Sequence, residues 1–223
     1  MKREKVLISW SGGKDSSLAL YEILKSKEYE VYALFTTITK DYDRVTMHGV
    51  RRELIEEQAK SIGIPLREVF IPKNVSNEEY SKIMEREMRK AKEEGISAVV
   101  FGDIFLEDVR KYREDNLSKV SMKGIFPLWG RDSRKVVEDF IKLGFKAIVV
   151  CVDSKALSKE FIGRIIDEKF LEDLPSGVDP AGEYGEYHTF VFDGPIFKKK
   201  VNFELGEIVF RENRFYYLDL IPR

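Results

Sequence analysis

The sequence predicts an α/β protein with a doubly wound parallel sheet, followed by a smaller C-terminal α+β domain. Three observations support this prediction. Short apolar runs alternate with amphipathic stretches in the first half of the chain, which is typical of βα units with right-handed crossovers. A glycine pair, Gly12-Gly13, joins the first apolar run to the first helix. Near the C-terminus the apolar residues alternate with polar ones, which indicates antiparallel strands.

The first half of the chain contains four predicted strands, at residues 6–8, 31–35, 66–71 and 98–101. The strand at 31–35 is near-continuously apolar, which indicates burial on both faces. The predicted helices follow them in order. The first covers residues 17–24, the second runs from about 49 to 62 and stops at Gly63, and the third ends at Gly95. The third begins after Ser76, which forms a predicted capping box with Glu79.

The second half of the chain begins with a predicted helix at 133–143, a strand at 146–152 and a helix at 158–169. Strands at 189–192 and 200–205 follow, and residues 208–210 are expected to pair with 215–218 as a hairpin. We therefore expect two domains, residues 1–126 and 127–223, with the second covering the carboxyl edge of the first sheet.

Composition limits the possible functions. Charged residues make up 35% of the 223 residues, and the single glutamine among many Lys and Glu suggests a thermophilic source. The net charge of −1 gives no general attraction to nucleic acid or to an anionic membrane. No apolar run approaches the ~20 residues of a membrane span, and no signal peptide is visible, so we expect a cytoplasmic protein. The lone Cys151 lies in an apolar run and is expected to be a buried core residue.

The most informative segment is Ser11-Gly12-Gly13-Lys14-Asp15-Ser16, between the first strand and the first helix. Unpaired N–H groups at a helix start favour a phosphate, and the two glycines let a ligand approach the backbone. The serine hydroxyls, including that of Ser17, add donors, and Lys14 adds positive charge. Asp15 can cap the helix or hold Mg²⁺. The P-loop and dinucleotide patterns both fail here, because their glycines are missing.

Two further groups of residues are candidates for a site. Gly102-Asp103 follows the fourth strand, on the same side of the sheet as the glycine pair, and Asp103 can bind Mg²⁺ or cap the next helix. Glu183, Glu186 and His188 lie together in a glycine-hinged loop. His48, the other histidine, precedes a helix, where a capping or core role and a substrate contact are both open.

These residues carry a family resemblance. The pattern S-G-G-x-D-S resembles the pyrophosphate loop of the N-type ATP pyrophosphatases. This loop, Gly102-Asp103-Ile104, Pro127-Leu128-Trp129 and the segment from Gly182 to Thr189, in this order, resemble the diphthine–ammonia ligase family. The similarity covers essentially the whole chain, although Tyr184 stands where members often have Asn. The resemblance implies a Rossmann-like fold of the adenine nucleotide alpha-hydrolase type.

The resemblance also implies an activity: ATP-dependent amidation, with ammonia, of the diphthine carboxylate on elongation factor 2. The carboxylate attacks the α-phosphorus of ATP, pyrophosphate leaves, and ammonia then displaces AMP from the acyl-adenylate. Ser11, Gly12, Gly13 and Ser16 would hold the β- and γ-phosphates, Lys14 would offset charge at the α-phosphate, and Asp15 would hold Mg²⁺. The adenine is expected at Phe35-Thr36. A carboxylate or histidine of the 183–188 segment would bind ammonium or take its proton, with the individual roles left open.

Two other functions are compatible with the same loop. One is a tRNA-modifying adenylase. The absence of a catalytic cysteine pair and the lack of net positive charge disfavour it. The other is a non-catalytic ATP-binding regulatory protein, which would have no use for the acidic C-terminal segment. The sequence leaves the oligomeric state open, with a homodimer as one option.

Overall fold

The computed structural model describes residues 3–223. Its elements are β1 (Glu4–Ser9), α1 (Lys14–Ser26), β2 (Tyr29–Thr39), β3 (Arg44–Val45), α2 (Arg52–Ile62), β4 (Leu66–Ile71), α3 (Asn77–Glu93), β5 (Ile96–Val100), α4 (Glu107–Ser118), β6 (Lys123–Ile125), α5 (Ser133–Lys142), β7 (Lys146–Asp153), a 3-10 turn (Lys159–Phe161), α6 (Glu168–Asp173), β8 (Tyr187–Asp193), β9 (Phe203–Arg211) and β10 (Phe215–Pro222).

The first sheet has the order β3-β2-β1-β5-β6, and β4 also pairs with β2. All of its pairings are parallel except that of the two-residue β3 with β2. Alternate residues of β1 enter two separate cores. Val6 and Ile8 pack with α1 and α2, while Leu7 packs with α3 and α4. Helices therefore cover both faces of this sheet, and the doubly wound α/β prediction is confirmed.

The second sheet is antiparallel throughout, with the order β8-β7-β10-β9. Its buried residues, such as Val149 and Phe190, belong to the same hydrophobic cluster as Leu18 and Leu54 from the α1 and α2 side. Because one core spans both sheets, the second sheet is packed firmly against the helices that carry the glycine turn.

Most predicted elements are present, but their bounds differ, and the two strands expected at 200–205 and 208–210 form one strand, β9. The predicted helix at 158–169 is wrong: the chain forms the 3-10 turn and then α6, with an irregular stretch between them. Gly163 has φ +78°, and Ile165 forms a β-bridge to Ile148, so the segment lies along β7 instead of coiling. Helix α2 begins at Arg52, three residues after the expected Gly49, whose φ of +70° no regular α-helix accepts.

The sequence did not indicate β3 and β6, and it gave no bounds for the helix after Asp103, which is α4. Their signals are weak for physical reasons. Helix α4 is strongly polar and buries only Leu117, and the two short strands cover two and three residues. Cys151 is buried in β7 as expected, and burial raises the pKa of its thiol to about 12. In residues 3–223, no helix is long and apolar enough to cross a membrane.

Candidate functional site

The glycine turn forms a tight loop between β1 and α1. Gly12 has φ +77°, and a Cβ at this position would lie 2.6 Å from the side chains of Gln58 and Ile55. Gly13 is the N-cap of α1, with an extended backbone and no capping side chain of its own. Its N–H donates to Ser11 Oγ at 3.2 Å, and Ser11 Oγ lies 3.3 Å from Ser16 Oγ. The turn thus has the backbone shape of an anion-binding loop.

The side chain of Gln58 hydrogen-bonds both to this loop and to β8. Its Nε2 donates to the carbonyl oxygens of Gly12 (3.0 Å) and Val191 (2.6 Å), and its Oε1 accepts from Trp10 Nε1 at 2.9 Å. The side chain is fully buried. Sequence reasoning missed this residue, although a signal existed. Gln58 lies four residues after Leu54, on the apolar face of α2, where an amide is out of place unless its hydrogen bonds are satisfied.

Strand β8 completes the first turn of α1. The backbone N–H of Lys14 donates to Thr189 Oγ1 at 3.0 Å, so a β8 hydroxyl caps the helix that Gly13 leaves uncapped. Lys14 Nζ donates to the carbonyl oxygen of Ala181, forms an ion pair of 2.9 Å with Asp15, and lies 5.1 Å from the centroid of the Tyr187 ring. The N-terminal loop and the C-terminal segment therefore form one continuous site.

Three carboxylates lie near one another at the N-terminal end of α1, and their charges affect the pKa of Asp15 and of Glu183. They belong to Asp15, Asp103 and Glu183. Burial raises the pKa of Asp15, while Lys14 opposes this rise. Asp103 forms an ion pair with Arg113 at 2.6 Å. Burial raises the pKa of Glu183 to about 7, and the charges of Asp15 and Asp103 add to the increase. Glu183 Oε1 also accepts from the N–H of Ile104 at 2.8 Å.

The capping roles left open for the two aspartates are not observed. Helix α4 has Leu106 at its N-cap, and Asp103 turns to Arg113 instead. Asp15 lies in the first turn of α1, one residue past its start. Gly102 explains how close the two segments come. A Cβ on this residue would lie 2.7 Å from the backbone carbonyl carbon of Asp15, so only glycine allows the strand end to touch the loop.

The predicted group of Glu183, Glu186 and His188 is divided by the structure. Only Glu183 joins the carboxylates beside α1. Glu186 is buried, and its Oε1 accepts from the N–H of Asp179 at 3.0 Å. Asp179 in turn accepts from the N–H groups of Ala181 (3.1 Å) and Glu183 (3.0 Å). Glu186 therefore holds the loop that carries Glu183.

His188 lies beside the other histidine. The rings of His48 and His188 are 4.5 Å apart between centroids, and a Cβ on Gly13 would lie 3.2 Å from His48 Cε1. Burial lowers the pKa of His188 to about 4, and Lys14 adds to the decrease. The pKa of His48 is lowered well below its ordinary value by burial and by His188. Both imidazoles are neutral at pH 7. Arg51 is the N-cap of α2, so His48 does not cap that helix.

A cavity of about 370 Å³ opens from the loop along the carboxyl ends of β1 and β2. Ser11, Phe35, Thr36, His48 and His188 all line it, which unites residues that the sequence placed in separate motifs. Thr36 Oγ1 and His48 Nδ1 are buried and have no hydrogen-bond partner within residues 3–223. The outer wall comes from α3 and α4, through side chains that sequence reasoning missed: Tyr80, Ser81, Met84, Tyr112 and Arg113.

Within residues 3–223, no group of three or more His, Cys, Asp or Glu side chains is arranged to hold a metal ion by itself. This does not conflict with Mg²⁺, which proteins bind through one or two carboxylates together with substrate phosphates and water. Lys14 pairs with Asp15 and Arg113 pairs with Asp103, yet the charges of both carboxylates still raise the pKa of Glu183. A divalent cation held by Asp15 and Asp103 would lower this repulsion, so the residues present fit that ion.

The parallel sheet, the S-G-G-x-D-S loop at its carboxyl edge and the adjoining cavity define the class: this is a pyrophosphate-loop protein of the N-type ATP pyrophosphatase superfamily. Models of the N-terminal and C-terminal domains of diphthamide synthase match residues 4–124 and 132–220. The chain belongs to the diphthamide synthase family.

Curated relatives also match this chain over most of its length. The chain is 27% identical over 221 residues to a diphthine–ammonia ligase of Danio rerio, with 89% of this chain and 86% of the relative covered. The human diphthine–ammonia ligase is 25% identical over 225 residues, covering 89% and 82%. The Schizosaccharomyces pombe enzyme of the same name is 27% identical over 227 residues, and the match spans 92% of this chain but only 37% of that longer protein.

Proposed function

We propose that this protein is an ATP-dependent diphthine–ammonia ligase that converts the diphthine carboxylate of elongation factor 2 into an amide, releasing AMP and pyrophosphate. Membership of the diphthamide synthase family supports this proposal. The observation that carries it is the junction between loop and acidic segment, where Lys14 binds Ala181 and Thr189 while Glu183 lies beside Asp15 and Asp103. An ATP-binding regulatory protein would not need a carboxyl group of raised pKa at this place.

ATP would occupy the cavity with its phosphates on the loop. The N–H groups at the start of α1 and the hydroxyls of Ser11 and Ser16 are the donors for the β- and γ-phosphates. The adenine would lie against Phe35, and Thr36 Oγ1 is a buried hydroxyl that still lacks a partner within the described chain. Asp15 and Asp103 would hold Mg²⁺, which neutralises phosphate charge when bound.

In the first step, an oxygen of the diphthine carboxylate attacks the α-phosphorus, the bond to the bridging oxygen breaks, and pyrophosphate leaves. Lys14 contributes positive charge at the growing negative charge of this step. Since Lys14 is already fixed by Asp15, Ala181 and the Tyr187 ring, its ammonium group needs little reorganisation.

In the second step, ammonia attacks the acyl carbon, the bond to the AMP oxygen breaks, and AMP leaves. Ammonium must lose one proton before it attacks and a second when the amide forms. Glu183, with its pKa of about 7, is half ionised near neutral pH and is suited to accept a proton. The imidazole of His188 also lines the cavity, but its pKa of about 4 makes it a much weaker proton acceptor than Glu183. Glu186 would act indirectly, since it positions the loop that carries Glu183.

The test is to incubate the protein with ATP, Mg²⁺, ammonium and diphthine-bearing elongation factor 2. Intact-mass measurement should show the acid converted to the amide, and chromatography should show AMP and pyrophosphate in equal amounts. ADP and phosphate as the main products would contradict the loop assignment. AMP formation that depends on a tRNA instead of the factor would favour the adenylase alternative.

A further inference from the structure

The outer edge of β9 has an unpaired backbone. Within residues 3–223 this strand pairs only with β10, at the end of the second sheet. It is nine residues long, and all nine are exposed or only partly buried. A long exposed edge of this kind is a template for another strand, and proteins usually shorten, charge or cover such edges.

The edge also carries an apolar strip, formed by Leu205, Ile208 and Phe210. These side chains are 61%, 42% and 47% exposed. Their partners across the ladder are Leu220, Leu218 and Tyr216, of which the two leucines are buried. Residues directly opposite in a ladder point to the same face of the sheet. The strip therefore lies on the same face as the buried Leu218 and Leu220, but its own side chains remain exposed. The strip is therefore an extension of the core that nothing in the described chain covers.

We propose that the occupant of this edge is β9 of a second copy, related by a two-fold axis perpendicular to the sheet and centred on Val209. Antiparallel pairing in this register puts Ile208 opposite Phe210 of the second copy. It also puts Glu207 opposite Arg211 of the second copy, and the same contacts recur on the other side of the axis. Both charged residues are exposed, so they are available for this pairing.

Neighbouring symmetric registers lose this match. Centring the axis on Ile208 puts Glu207 opposite Val209 and Phe210 opposite Gly206, and centring it on Phe210 puts Ile208 opposite Glu212. Only the register on Val209 joins unlike charges and apolar side chains together, and charge pairing fixes the register of such an interface. The hairpin turn at Glu212-Asn213, with φ of +54° and +50°, ends β9 at Arg211, so the paired segment runs from Glu207 to Arg211 in each copy. The dimer would contain one continuous eight-stranded sheet.

Light scattering on the 223-residue chain after gel filtration tests this. The wild type should have twice the 26.0 kDa mass of the chain. Glu207→Arg puts arginines opposite each other, Arg211→Glu puts glutamates opposite each other, and each variant alone should be monomeric. Mixing the two single variants, or combining both changes in one chain, should restore the dimer. Glu172→Arg, on the exposed side of α6, is the control and should stay dimeric.

A wild type that is monomeric at every concentration tested would overturn the proposal, as would single variants that dimerise like the parent. Circular dichroism of each single variant shows that it is folded. The mixing experiment adds an independent check, because two misfolded chains would not recover a dimer. This proposal does not depend on the activity of the protein.

Discussion

Glu183 is a carboxyl group whose place in the site costs the fold stability, and Glu183→Gln should recover it. Burial raises the pKa of this group from 4.5 to about 7. The unfolded chain therefore releases the proton from about pH 4.5, whereas the folded chain keeps it until about pH 7. The folded state binds more protons in this window, so the contribution of Glu183 to stability falls as pH rises through it.

The size of the effect follows from the pKa shift. The interval from 4.5 to about 7 corresponds to about 3 kcal/mol, and partial solvent contact reduces our expectation to about 2 kcal/mol. Glutamine carries no charge at any of these pH values and keeps an oxygen for the N–H of Ile104. The variant should thus unfold like the parent at pH 4.5 and be more stable by about 2 kcal/mol at pH 8.

Guanidinium unfolding of both proteins at pH 4.5, 6 and 8 measures this. His188, with a pKa lowered to about 4, destabilises the fold as pH falls below 6.5, but it does so in both proteins and cancels in the difference. Glu172→Gln, an exposed residue of α6, should show no pH-dependent difference. A gain from Glu183→Gln that is equal at pH 4.5 and pH 8, or a loss at pH 8, would refute the reasoning. Under the proposed function, the stabilised variant should make little amide.

Three further substitutions have clear expected outcomes. Gln58→Met should destabilise the protein by about 2 kcal/mol, since it leaves the buried Trp10 Nε1 without its acceptor and removes the hydrogen bonds from Gln58 to the carbonyl oxygens of Gly12 and Val191; a variant with the parent's unfolding midpoint would contradict this role of Gln58. Gly102→Ala should lower stability by about 1–3 kcal/mol and weaken ATP binding by calorimetry, because the new methyl group meets the Asp15 backbone. Gly177→Ala, with open space around it and no positive φ, is the neutral comparison. Asp15→Asn should keep the parent's circular dichroism while losing AMP formation, and retained activity would exclude Asp15 from the chemistry.

Sequence reasoning succeeded where a local pattern has a local cause. The S-G-G-x-D-S turn, the Ser76 capping box and the stop at Gly63 are determined by a few neighbouring residues, and all three are present. The alternation of apolar runs with amphipathic stretches is also a local pattern, and it predicted the parallel sheet correctly. The prediction of a helix at 158–169 was wrong because this segment lies along β7, where Ile165 forms a β-bridge with Ile148.

The site was only partly predictable because its parts meet over long sequence distances. The residues of the loop were expected to lie together, and they do. Nothing in the sequence shows that Thr189 caps α1 or that Gln58 joins the loop to β8, since these contacts cross 175 and 133 residues. The loop of Glu183, Glu186 and His188 looks uniform in sequence. In the folded chain the three side chains have different neighbours, and the sequence of the loop does not show which neighbours these are.

The cap supplied by Thr189 has a consequence for synthesis of the chain. Residues 1–126 leave the ribosome first, and domains generally begin to fold in that order. At that stage α1 has no cap for the N–H of Lys14, and the carbonyl of Gly12 lacks its bond from the N–H of Val191. The loop gains these two hydrogen bonds only after β8 has emerged. A nascent chain that has not yet reached β8 would therefore hold the loop only loosely.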